Sequence, residues 1–401
     1  MPASRALPSM PIDQIDQIRP IHRAAWLYLG FALTGVGTTL LGCVLPTLST
    51  NWHMNDSRSG LLFAAQFSGS AFGALLVGSN FFASMLRGYI LLIASAVSIG
   101  FFAGFLEVPR FFAFGLGLGL TMTATSMLIG TTYIGKRGAA LSILNAYWTI
   151  GAALCPAIAS LWVRRWAPTY LFLTLAVALA VVLVMILAII VGRGAQYRES
   201  FLTVSSTELK EETGKKHLQL LLIFAALASL YVGVEVSISG WMMTYVHRMP
   251  ITSKPWAAIA TSCFWIALLS GRMLAPAVLR RLSEAELLNS CIVIGLASAV
   301  LLVLSHSPMM IVLSAAAAGL TLGPIFPLCI AKALAFLHDS PKTKWIFSVS
   351  GLGGAVLPWM TGKLSAHSGS LRIGLLVPVV ALAAMIILNQ LDRRPTLVQS
   401  Q

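Results

Sequence analysis

One carboxylate stands apart from the rest. The stretch YVGVEVSISGW, residues 231 to 241, carries Glu235 inside an apolar run, whereas the other acidic residues among the chain's 13 fall in tails, loops or the ends of such runs. An ionisable side chain at the centre of a bilayer costs about 2.5 to 3.5 kcal/mol on insertion scales, so it persists where it has a partner or a task. Three tasks suit a carboxylate there: loading and releasing a proton, accepting hydrogen bonds from a ligand's hydroxyls, or helping neighbouring carbonyls coordinate sodium. Tyr231, Glu235 and Ser239 recur at i, i+4 and i+8 and so share one helical face, with Trp241 beyond them. Gly233 and Gly240 flank the acid and would let the helix bend and expose carbonyls. The alternative is a structural acid bound to a neighbouring helix.

Around this residue stand groups suited to a flat, polyhydroxylated ligand. Asn145 and Trp148 lie three residues apart near the middle of one apolar run, and Gln66 and Trp265 reach similar depth in two others. Amides offer paired donors and acceptors, and indole rings offer a face to C–H groups; packing or bridging between helices competes with that reading. Two cations are intramembrane, Arg272 and Lys332. Lys332 is expected to snorkel to the membrane surface, and Arg272 either to snorkel or to make a gating contact between helices. In GPIFP, Pro324 and Pro327 remove two backbone donors, predicting a kink suited to a gate or to a fixed bend. The five cysteines all fall in apolar runs, and no cluster of His, Cys or acids is present, so no metal, no cofactor and no enzymatic chemistry is expected.

The elements that must position these residues follow from composition. The chain is 57% hydrophobic and 10% charged, with a mean hydropathy of +0.85. A soluble domain would not show such values. Runs long enough to cross a hydrocarbon core of about 30 Å recur twelve times, so the fold expected is an all-α membrane protein of twelve transmembrane helices. The second and third runs read as Ser59 to Phe82 and Gly88 to Leu106. No cleavable signal peptide is evident before the first run. The net charge of +14 is not a nucleic-acid signature here. Lys and Arg in the tails and the central loop's side outnumber those on the opposite side by roughly two to one, which places both termini in the cytoplasm.

The charged stretch within residues 193–216 separates six runs from six. The organisation expected is a tail (1–23), a six-helix bundle (24–192), a linker (193–216), a second bundle (217–391) and a tail (392–401). The two bundles repeat. GVGTTLLG from Gly35 aligns with GVEVSISG from Gly233, GLTM from Gly119 with GLTL from Gly319, and GAALCP from Gly151 with GGAVLP from Gly353, at nearly constant offset.

On these motifs, with FGLGLGLTM, LNAYWTIGAALCP and the Gly271-Arg272 pair, residues 24 to 391 resemble the major facilitator superfamily. YVGVEVSISGWMMTYV, CFWIALLSGRML and GLTLGPIFPLCIAKAL resemble its fucose:proton symporter branch and the related sodium-dependent glucose transporters. The resemblance implies a monomeric carrier of a monosaccharide in the cell membrane, driven by protons or sodium, with the substrate between the halves and access alternating. Gln66, Asn145, Trp148, Tyr231, Glu235, Ser239, Trp241 and Trp265 are then the candidate substrate residues. Glu235 is the candidate for ion coupling, and Arg272, Pro324 and Pro327 for gating. The branch's acids in helices one and four have no counterpart in TGVGTTLLG or GLGLTMTATSM. An exporter of amphipathic drugs or lipids is the alternative.

Overall fold

A computed structural model describes residues 21–102, 106–132, 137–191, 215–249, 254–330 and 343–392. Their ordered elements are helical. The first six helices are α1 (Ile21–Asn51), α2 (Asp56–Leu75), α3 (Phe81–Phe101), α4 (Glu107–Thr132), α5 (Arg137–Trp162) and α6 (Tyr170–Val191). The second six are α7 (Lys215–His247), α8 (Lys254–Val278), α9 (Glu284–Leu304), α10 (Pro308–Leu322), α11 (Thr343–Ser368) and α12 (Leu376–Asp392). Beyond a turn at residues 323–324, α10 resumes as helix through residue 330. A helical turn, Leu371–Gly374, leads into α12.

Ten of these segments are long and apolar enough to cross a membrane. Helices α2 and α11 fall short because small and polar residues dilute them, Ser59, Gly60, Gln66, Ser68, Gly69 and Ser70 in α2 among them. The two pack on each other across the halves. Gly60 lies against the backbone of Trp359 and Gly362, and Ser348 Oγ donates to the Ala71 carbonyl at 3.0 Å. Small residues let backbones approach and hydroxyls find carbonyls, which is how helices associate in lipid. The turn between α2 and α3 falls at residues 76–80, earlier than the apolar runs suggest. Asn80 Oδ1 accepts from the Ala83 N–H, and Ser84 Oγ accepts from the Gly78 N–H, so α3 begins at Phe81. Arg87 therefore lies on an exposed face of α3 and not in a loop.

The sequence repeat is a packing repeat. A Cβ on Gly119 would stand 1.9 Å from the Ser70 carbonyl oxygen of α2, and one on Gly319 would stand 2.1 Å from that of Phe264 in α8. Likewise a Cβ on Gly151 would meet the Ala32 oxygen of α1, and one on Gly353 the Ser229 oxygen of α7. Each repeated glycine thus seats its helix on the matching neighbour in its own half. The glycines closing the two aligned octapeptides meet each other: a Cβ on Gly42 would be 2.8 Å from Gly240 Cα. Equivalent residues touch in this way where they lie beside a two-fold axis.

Candidate functional site

Glu235 sits in the middle of the apolar span Leu222–His247 of α7 and is buried. Its carboxylate accepts from the Tyr231 hydroxyl one turn before it. Arg272 of α8 faces it, with Nη2 3.7 Å from Oε2. Of the two alternatives for Arg272, the structure selects the contact between helices. The reason is backbone proximity: a Cβ on Gly271 would be 2.1 Å from the Leu320 carbonyl oxygen, so only glycine lets α8 close on α10 there.

The break in α10 adds a second hold on Arg272. Pro327 has no N–H, so it leaves the carbonyl of Gly323, four residues earlier, without its helical donor. Arg272 Nε donates to that carbonyl at 3.4 Å. Nη1 donates to Thr149 Oγ1 of α5 at 3.2 Å, and Nη2 to the Tyr231 hydroxyl at 3.4 Å. The guanidinium therefore joins the two halves. Removing one member of a buried ion pair typically costs about 3 to 5 kcal/mol, because the survivor stays charged in a poor solvent. Phe326 of the resumed α10 segment stacks on Tyr231 with ring centroids 5.6 Å apart. Pro324 is buried at the break and Pro327 is exposed beside it.

The other candidates sort around this network. Trp148 of α5 and Trp265 of α8 meet edge to face across the halves, with centroids 5.5 Å apart at 77°. Both are buried, and neither indole N–H finds an acceptor among the described residues. Asn145 lies one turn from Thr149, is exposed, and gives one amide hydrogen to the Leu141 carbonyl at 2.9 Å. Its exposure is not to lipid. Leu154 and Ile158 mark the apolar outer face of α5, and nine residues of helix turn Asn145 about 180° away from Leu154. Asn145 is thus exposed on the side of α5 away from Leu154, nearer the start of that helix than Thr149, which holds Arg272.

Gln66 and Trp241 bridge helices, whereas Ser239 bonds within its own. Gln66 Nε2 donates to the Thr38 carbonyl of α1 at 2.9 Å, leaving its buried Oε1 unpaired among the described residues. Ser239 Oγ donates to the Glu235 carbonyl at 2.7 Å. Trp241 Nε1 donates to the Pro358 carbonyl at 3.0 Å, and its ring packs on Phe63 of α2. Lys332 lies outside the described residues.

Sequence reasoning missed a second polar cluster between the halves. Asp56, the first residue of α2, takes both Nη1 and Nη2 of Arg248 at 2.7 and 2.6 Å, and Ser365 Oγ of α11 at 2.6 Å. Burial works against the charge of this carboxyl, but the Arg248 and Ser365 donors outweigh it and hold its pKa below the ordinary value. This clasp ties the two halves together at the end where α1 and α7 finish and α2 begins. The signal available was Asn55-Asp56, a cap followed by an acid at a helix start.

Comparison with known proteins agrees with this architecture. The family profile described as the Major Facilitator Superfamily matches residues 27–342. Bypass of stop codon protein 6 of Saccharomyces cerevisiae (strain ATCC 204508 / S288c) is 22% identical over 389 residues, covering 86% of this chain and 77% of that protein. Enterobactin exporter EntS of Citrobacter koseri (strain ATCC BAA-895 / CDC 4225-83 / SGSC4696) is 32% identical over 173 residues, or 37% of this chain and 41% of that protein. Two solved structures share the fold over 94% of this chain and 99% of theirs. They are a Major Facilitator Superfamily transporter, FucP, in the outward conformation, at 15% identity and a TM-score of 0.61, and a substituted variant of the E. coli fucose:proton symporter, FucP, at 16% and 0.62.

Proposed function

We propose, given that the chain belongs to the major facilitator superfamily and is a multi-pass membrane transporter of small molecules, that its substrate is a hexose-type monosaccharide moved by alternating access. The observation that carries this reading is the buried network of Glu235, Tyr231, Arg272 and Thr149 spanning the halves, with the exposed amide of Asn145 one turn from Thr149. Trp148 and Trp265 supply ring faces, Asn145 supplies an amide, and Glu235 both accepts from hydroxyls and carries the coupling ion, a proton or sodium. Arg272 and the break at Pro324 and Pro327 act as the moving latch on the inner side. The halves, residues 24–192 and 217–391, rock as units about the linker. The protein works as a monomer in the cell membrane with both tails in the cytoplasm.

The test is uptake into proteoliposomes with a panel of hexoses under imposed proton and sodium gradients, comparing wild type with Glu235→Gln. Saturable hexose uptake driven by one gradient, and uncoupled from it in the variant, supports the reading. The similarity to an exporter favours the second reading, export of amphipathic drugs or lipids. If no hexose is taken up while amphipathic compounds compete for binding, that reading replaces ours.

A further inference from the structure

The unmet hydrogen-bonding capacity beside Arg272 is donor capacity. Trp148 and Trp265 each bury an indole N–H that finds no acceptor among the described residues, and an indole can only donate. Trp148 adjoins Thr149, which holds Arg272, and Trp265 lies two helical turns from Arg272 on the same face of α8. The guanidinium itself is loosely served. Its contacts span 3.2 to 3.7 Å, and Glu235 engages one nitrogen instead of closing the bidentate fork that carboxylates and arginine prefer. The cluster therefore suits a ligand rich in acceptors.

Charge balance then restricts how that ligand enters. Glu235 and Arg272 cancel, and the elements packed on α7, which are α1, α8, α10, α11 and α12, bring no further charge to them among the described residues. Among the described side chains, the charged groups on or just beyond these elements lie elsewhere, Arg280 past the end of α8, Lys363 and His367 late in α11 and Arg372 before α12, while Tyr231 is the one other titratable group in contact. A proton on Glu235 would leave Arg272 unbalanced in a buried site, and an incoming anion would restore neutrality. An anion arriving with Glu235 charged would instead leave one negative charge in excess.

We propose that Arg272 and the indole N–H groups of Trp148 and Trp265 form a carboxylate-binding site, so that the sugar carried is an acidic one that binds together with a proton on Glu235. This rests on the sugar-transport reading above and narrows it. Arg272 would close its fork on the carboxylate, and Asn145 would meet hydroxyls.

The experiment measures binding of glucuronate, gluconate and neutral glucose to the full-length protein in detergent, read by tryptophan fluorescence and calorimetry from pH 5 to 8. One proton taken up per anion makes the apparent Kd of the acids rise about tenfold per pH unit above the midpoint. Glu235→Gln should bind the acids with a pH-independent affinity near the wild-type low-pH value. Arg272→Gln should lose the acids, and Arg272→Lys, which keeps the charge, should retain weakened binding if the former fails to fold. Acid binding in wild type that does not vary with pH overturns the inference. So does saturable glucose binding without competition from the acids, which leaves the sugar reading intact. Binding of neither glucose nor acids, with amphipathic compounds bound instead, overturns both.

Discussion

Replacing Asp56 by Asn should loosen the clasp end of the molecule. The carboxylate accepts two charge-assisted bonds from Arg248 and one from Ser365. An amide of the same shape keeps at most one acceptor and presents a donor to a cation. Asp56 is only 8% exposed, but the Arg248 side chain is 45% exposed, so the pair lies between the surface and buried limits. Exposed pairs contribute up to about 1 kcal/mol, while breaking buried ones costs about 3 to 5 kcal/mol. Discounted for solvent screening of Arg248, a loss of about 1 to 2 kcal/mol remains. Because 1.4 kcal/mol is tenfold, this shifts the population toward an open clasp by about 5- to 30-fold. The five native cysteines would be replaced and spin labels placed at Asn51 and His367, both exposed at this end in opposite halves. Wild type should give a short-distance population, and Asp56→Asn should add a longer one. Unchanged distance distributions in the variant, with fold intact by thermal melting, would refute the reasoning.

The same clasp should not respond to pH in the working range. Its carboxyl pKa is depressed, so the stabilisation is complete above the unfolded carboxylate value near about 4 and is lost only below it; label distances should be constant from pH 5 to 8. Gly271→Val should block the approach of α8 to α10, since even a Cβ would stand 2.1 Å from a backbone oxygen; we expect a Tm lowered by several degrees or lost yield, measured by size-exclusion fluorescence. Pro327→Ala restores an N–H that can take the Gly323 carbonyl from Arg272. Transport rate should then change without loss of stability, checked by uptake beside a melting curve. Trp241→Phe removes the bond to the Pro358 carbonyl while keeping the ring's place against Phe63, and should destabilise by about 1 kcal/mol, read as a lowered melting temperature.

Much of the fold was readable because bilayers impose length and polarity on each helix. The exceptions have causes. Helices α2 and α11 are diluted by small and polar residues that pack on neighbouring helices, and the α2–α3 turn is set by Asn80 and Ser84 side chains that hydropathy does not see. Glu235 stood out because an acid in an apolar run is costly wherever its partner lies. Its pairing with Arg272 depends on how closely α8 approaches α10, which Gly271 decides in three dimensions. Asp56 was passed over because an acid near a turn is unremarkable until Arg248, far away in sequence, closes over it.

The mutual cover of α2 and α11 reaches back into biosynthesis. The first six helices emerge from the ribosome while α11 is still unmade, so Gly60, Phe67 and Ala71 must wait beside lipid or an insertion factor with no matching surface to cover them. Each half is thus the other's missing solvent, and separately produced halves would be expected to survive only when they share one membrane.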